Sequence, residues 1–193
     1  MGPHDGYPGF VSEADRSKWN ARHAAGGGPQ APSAWLVEHV ALLPAGRALE
    51  VACGVGGNAV FLAQAGWDVT AIDVSDVALA RTLEVAAAAR VSVRVERRDL
   101  PDDGLPEGPW DVITCAWFLE RPLSPLFAAS LAPGGALVLE VPTTRHAERT
   151  GFSRAYCVEP GELRRAFPGL ETLAHREGGP EGEVEALVAR RPR

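Results

Sequence analysis

The sequence predicts an α/β fold: a three-layer α-β-α sandwich around a seven-stranded, mostly parallel sheet that ends in an antiparallel C-terminal hairpin. Three observations predict it. Short β-type and α-type patterns alternate from Arg47 to Val141, which is the signature of parallel strands joined by crossover helices. The first β-type run, Arg47 to Ala52, passes directly into a glycine turn and then a helical run. Two β-type runs in the tail, Leu170 to Arg176 and Val184 to Arg190, are joined by Glu177-Gly-Gly-Pro-Glu-Gly182, a segment suited to a hairpin.

Residues 1–30 read as an N-terminal arm rich in Gly, Pro and Ser that carries one short amphipathic helix, Ser12 to His23. Trp19 and Arg22 share a face of that helix. After Gly26-Gly-Gly-Pro29 a single domain is expected over residues 31–193, a length that suits one ordinary unit. Its first helix spans Ser33 to Leu43, where Leu36, Val37, Val40 and Leu43 fall at helical spacing, Ser33 is placed to cap and Pro44 to stop. There follow a strand to Ala52, a helix Ala59 to Ala65, a strand Trp67 to Ile72, a helix Val77 to Ala89 and a strand Val91 to Val95. A strand Trp110 to Ala116, a helix Leu123 to Leu131, a strand Gly135 to Val141 and a helix Glu162 to Phe167 complete the scheme before the hairpin.

Composition removes several functions. Apolar residues form 46% of the 193, yet none of their runs approaches a membrane span. The start Met1-Gly-Pro-His-Asp5 shows no basic segment followed by an apolar one, so a cytoplasmic location is expected. Net charge is −6 with the basic residues scattered, which argues against gripping a phosphate backbone, and no nucleic-acid partner is expected. Cys53, Cys115 and Cys157 are far apart and lack paired spacing, so neither a metal site nor a disulfide framework is expected.

The chemistry concentrates in Glu50-Val-Ala-Cys-Gly-Val-Gly-Gly-Asn58. Gly54 and Gly56 let backbone approach a ligand, having no Cβ and tolerating positive φ. Asp73 ends the second strand, where a carboxylate can accept both hydroxyl hydrogens of a ribose. Together they indicate a nucleoside ligand. Gly54-Val-Gly-Gly-Asn-Ala59 equally satisfies the nicotinamide dinucleotide fingerprint, so an oxidoreductase stands as an alternative, as does a binding module without catalysis. Glu50 favours a third ligand: a carboxylate just before the glycine turn has little use beside a pyrophosphate but suits the ammonium of a methionine.

In these motifs the chain resembles the class I S-adenosylmethionine-dependent methyltransferases. Their first motif, acid, apolar, Gly, any, Gly, any, Gly, is matched by Glu50 to Gly56 with Ala52 in place of the first Gly. Asp73 matches the family's ribose acid, Asp99 the residue near the adenine amino group, Trp110-Asp-Val-Ile-Thr114 the fourth-strand motif, and Leu131-Ala-Pro-Gly-Gly135 the turn before the fifth strand. Lys18-Trp-Asn-Ala-Arg-His23 is similar to the W-N-x-R-Y opening of the small-molecule enzymes related to tellurite-resistance and thiopurine methyltransferases, with His23 at the Tyr position.

The resemblance implies transfer of a methyl group from S-adenosylmethionine to a small acceptor, leaving S-adenosylhomocysteine, by a monomer or homodimer. It implies a cofactor site of Trp19, Arg22, Glu50, Ala52, Cys53, Gly54, Gly56, Asn58, Asp73, Val74, Asp99, Leu100, Cys115 and Trp117. For the acceptor, the segment Thr143 to Tyr156 offers Arg145, His146 and Tyr156: arginines there suit an anion, and His146 has the chemistry of a general base. Glu120 and Tyr156 are the other residues considered for proton transfer. The run Cys115-Ala-Trp-Phe118 after the fourth strand departs from the D/N-P-P-Y/F of enzymes that methylate exocyclic amines of nucleobases.

Overall fold

The computed structural model describes residues 13–26, 31–178 and 183–193. Met1 to Asp5, Ser12, the linker residues Gly27 to Pro29 and most of the turn between the last two strands lie outside them. The described chain runs α1 (Glu13–Ala25), α2 (Ala34–His39), β1 (Arg47–Val51), α3 (Gly57–Gln64), β2 (Asp68–Asp73), α4 (Asp76–Ala88), β3 (Arg94–Arg97) and α5 (Leu100–Asp103). It continues through β4 (Trp110–Ala116), α6 (Ser124–Ser130), β5 (Leu131–Pro142), α7 (Thr144–Thr150), α8 (Glu162–Ala166), β6 (Glu171–Glu177) and β7 (Val184–Arg190).

The seven strands form one sheet in the order β3-β2-β1-β4-β5-β7-β6, parallel from β3 to β5 and antiparallel at β7 and β6, as expected. The last strand enters between β5 and β6 and leaves β6 on the edge. The order in which strands are laid across the sheet reverses between β1 and β4, which are themselves parallel, and in such sheets the crevice outside the carboxyl ends at this switch point is where ligands bind.

Alternation along the strands divides the core into two layers. Ala48, Ala71, Val112, Val138 and Val188 pack on one face with Trp35 and Leu36 of α2, Leu62 of α3 and Leu79 of α4. Leu49, Val51, Ile113, Leu137, Leu139 and Leu187 pack on the other with Leu100, Trp110, Phe127 and Leu163. Ser33 and Ser75 cap α2 and α4, their side chains accepting from the amides of Leu36 at 3.2 Å and Ala78 at 3.1 Å.

Four expectations shift. The third strand is Arg94–Arg97, not Val91 to Val95, and the fifth begins at Leu131, so the Pro-Gly-Gly segment lies within it. The helix expected to Leu43 is α-helical only to His39 and finishes as a 3-10 turn, Val40–Leu42. The segment Thr143 to Tyr156 beyond β5, to which the sequence pattern assigns no helix or strand, carries α7, whose buried residues are Thr144 and Ala147.

Candidate functional site

Every second residue of β1 faces the α3 side, and the position after Ala48 on that face is Glu50, not an aliphatic residue. Its side chain is buried, 2% exposed, at the carboxyl end of the strand. It accepts from Asn58 Nδ2 at 2.9 Å and from the hydroxyl of Thr114, its register partner on β4. Burial pushes this carboxyl up to about 8, against the smaller opposing effect of the Asn58 bond. A carboxyl raised in this way is protonated near neutrality.

Asp73 ends β2 on the other side of the turn. Its two oxygens accept from the amides of Gly54 and Ser75, both at 2.9 Å. Burial raises its pKa while the Ser75 and Gly54 amides oppose the rise. Between the two acids the chain turns through Ala52, Gly54 and Gly56 at φ of 52°, 53° and 88°. Ala52 thus occupies the left-handed region that its replacement of a family glycine requires. A Cβ on Gly56 would fall 2.7 Å from Thr82 Cγ2, whereas one on Gly54 would meet only His23 Cε1, at 3.7 Å. Thr82 is held in place by its hydroxyl, whose one proton is shared between the carbonyls of Gly54 and Ala78, each at 3.1 Å.

Glu50, Asp73 and this turn line a single cavity of about 530 Å³, within the range of small-molecule sites. Of the residues expected to hold a cofactor, Trp19, Arg22, Glu50, Ala52, Cys53, Gly54, Asn58, Asp73, Val74, Leu100 and Trp117 are on its wall. Three are not. Gly56 is buried against Thr82 and serves the turn itself. Cys115 points into the β4 core on the opposite face, with Leu123 and Phe127 in the same cluster. Asp99 stands beside the wall between Arg98 and Leu100, which are on it; its Oδ1 is buried without a hydrogen-bond partner among the described residues. Burial, then Asp102, Asp103 and Asp15, raise the Asp99 pKa.

The arm helix closes one side. None of α1 is buried; it is tied to the start of α4 by Arg16 to Asp76 at 2.6 Å and by Asn20 Oδ1, which accepts from Ser75 Oγ at 2.7 Å and the Val77 amide at 3.3 Å. This attachment sets Trp19, Arg22 and His23 over the cavity, with the Trp19 and His23 rings stacked at 5.9 Å. Burial lowers the His23 pKa.

The residues expected to meet the acceptor lie further out. Arg145 is exposed and off the wall, Glu120 faces a separate small recess, and His146 and Tyr156 stand behind Trp117 and Phe152. Burial raises the pKa of both Glu120 and Tyr156. In their place Ser33, Phe118, Glu140 and Phe152 line the cavity. Glu140 accepts from the Ser33 hydroxyl; Ser33 N in turn donates to Asn58 Oδ1 at 2.7 Å, so a polar chain links Glu140 to Glu50. Glu140 carries the same sequence signal as Glu50, a lone acid near the carboxyl end of an apolar strand. Phe152 carries none, because only the fold of the segment after β5 brings it back.

Among the described residues no cluster of His, Cys, Asp and Glu is arranged to hold a metal ion, and no helix is long and apolar enough to cross a membrane. A family model described as a methyltransferase domain matches residues 28–177. Hemagglutinin 1 of Eikenella corrodens is 31% identical over 140 residues, 68% of this chain and 46% of that protein. A ubiquinone biosynthesis O-methyltransferase of Bordetella avium (strain 197N) is 34% identical over 111 residues, 52% of this chain and 44% of that protein. The chain spans about half the length of these curated relatives. The N-methyltransferase NodS from Bradyrhizobium japonicum WM9, solved in complex with S-adenosyl-L-homocysteine, shares the fold at a TM-score of 0.69 and 20% identity, over 92% of this chain and 98% of that one.

Proposed function

The chain belongs to the methyltransferase-domain family, and from that premise we propose that it binds S-adenosylmethionine in the cavity at the carboxyl ends of β1 and β2 and transfers its methyl group to a small-molecule acceptor. The observation that carries this reading is the pair of buried acids, Glu50 and Asp73, on one cavity wall with the turn of Ala52 and Gly54 between them. Glu50 suits an ammonium: it is a buried carboxyl that a cation would ionise. Asp73 has both oxygens committed to amides and keeps lone pairs for ribose hydroxyls. Gly54 leaves open the space a side chain would fill. Val74 and Leu100 supply apolar surface for the base.

The bound sulfonium supplies an already activated methyl group. The protein's part is to hold the two reactants in line and keep water out, a contribution of roughly 7–11 kcal/mol where the alignment is good. Trp19, Arg22 and His23 of α1 cover the cavity, and we assign residues 1–30 the role of a lid on the domain formed by residues 31–193.

Calorimetry tests the proposal directly. S-adenosylmethionine and S-adenosylhomocysteine are expected to bind and NAD and NADP not to; the reverse result sinks it. Asp73→Ala is expected to weaken S-adenosylhomocysteine by about tenfold to a hundredfold, the loss expected for an unpaired hydroxyl pair. Undiminished affinity in that variant would contradict the placement of the ribose.

A further inference from the structure

The two ends of the cavity differ in chemistry, and the difference bears on the acceptor. The end at β4 and β5 is walled by the rings of Trp117, Phe118 and Phe152. Trp117 meets Phe152 edge-on at 6.4 Å and His146 at 5.4 Å, and Phe152 packs against Tyr156 at 6.3 Å. Trp117 is 48% exposed, and its backbone stands at φ 59°, a conformation costly for a bulky residue and kept where the surroundings enforce it. Its amide donates to the Glu140 carbonyl at 2.8 Å, which holds its backbone beside that residue of β5.

Glu140 supplies the charge at this end. Its carboxylate is on the wall, bonded by Ser33 and with Arg176 at 3.9 Å; Arg176 lies against the ring of Trp35 at 5.0 Å. The cationic wall residues belong elsewhere: Arg22 rides on α1 over Trp19, and Arg98 follows β3 and pairs with Glu96 at 3.1 Å. Of the arginines beyond β5, Arg149 is engaged by Glu183, and Arg154 by Glu148 at 2.9 Å and Glu159 at 3.3 Å, while Arg145 is exposed and off the cavity wall.

Resting on the reading of this cavity as a methyl-donor site, we infer that the acceptor is an organic amine with a flat apolar body, seated among Trp117, Phe118 and Phe152 with its nitrogen toward Glu140. Aromatic faces and edges hold a flat ring, and the faces attract a cation; a carboxylate in a partly enclosed pocket draws positive charge and repels negative. Glu140 is then the residue that sets specificity by charge.

The test is calorimetry on the protein saturated with S-adenosylhomocysteine, titrated with phenethylamine, phenethyl alcohol and phenylacetate. The amine is expected to bind at least about tenfold more tightly than the carboxylate. Glu140→Gln should remove that preference while leaving the alcohol's affinity as it was, and Phe152→Ala should weaken amine and alcohol alike. Failure of S-adenosylhomocysteine to bind would refute the donor site itself. With the donor product bound, the acceptor inference alone is overturned by phenylacetate binding as well as phenethylamine, by no probe binding at millimolar concentration, or by an amine preference that survives in Glu140→Gln.

Discussion

At the scale of single residues, Glu50 makes the protein's stability depend on pH in a defined direction. Its carboxyl titrates at about 8 in the fold against an ordinary 4.5, so between those values the folded chain keeps a proton that the unfolded chain has released. The contribution of Glu50 to stability is therefore fully present below about pH 4.5 and is lost as pH rises through about 8, by roughly 5 kcal/mol at most. Glu50→Gln cannot ionise, so its stability relative to wild type should climb steadily over that window in urea titrations; parallel curves would refute the buried carboxyl. The glycine turn offers a second contrast. Gly56→Ala should cost about 2–4 kcal/mol, since its Cβ meets a tethered Thr82 at positive φ, while Gly54→Ala should cost only about 1 kcal/mol. Glu50 and Asp73 were legible in the sequence because acids stand out at the ends of apolar strands. Glu140 carries the same mark in β5, yet nothing local tells that it shares a wall with Glu50; that follows from β4 lying between them.

At the scale of elements, strands with a continuous apolar face were legible almost to the residue: Trp110–Ala116 is an example, buried from Val112 to Cys115. The third strand was displaced because β3 sits at the edge, has no fully buried residue, and takes its limits from pairing with Thr70 to Asp73 on β2. α7 was missed because Thr-Arg-His-Ala-Glu-Arg-Thr buries two small faces only and so lacks an apolar stripe. α1 is the converse case, a helix present without burial and attached by polar contacts to α4. Such contacts are individually weak, about 1 kcal/mol each. Asn20→Ala should therefore accelerate amide exchange over α1 by about tenfold while the strands keep their protection. Equal acceleration in β1 and β4 would show that α1 is part of the global unit instead.

For the molecule as a whole, the three cysteines report on cooperativity. Cys53 lies in the core layer shared with α3 and α4, Cys115 in the layer on the opposite face, and all three thiols are buried. Burial pushes the thiols of Cys53 and Cys115 well up, and that of Cys157 up as well, so none is a ready nucleophile. Iodoacetamide labelling followed by mass spectrometry should find no fast adduct on the native protein and a common rate for Cys53 and Cys115 on unfolding, as one cooperative unit requires. Early labelling of Cys53 alone would mean that the two layers open separately.

The position of β7 has a consequence for synthesis. Because β7 follows β6 in the chain yet fills an inner slot of the sheet, between β5 and β6, a nascent chain on the ribosome carries β5 with one flank unpaired until Val184 to Arg190 have emerged. Bare strand flanks recruit other chains, so the interval before β7 emerges is when this protein most needs a chaperone, and ribosomes stalled before residue 184 should hold it in an aggregation-prone form.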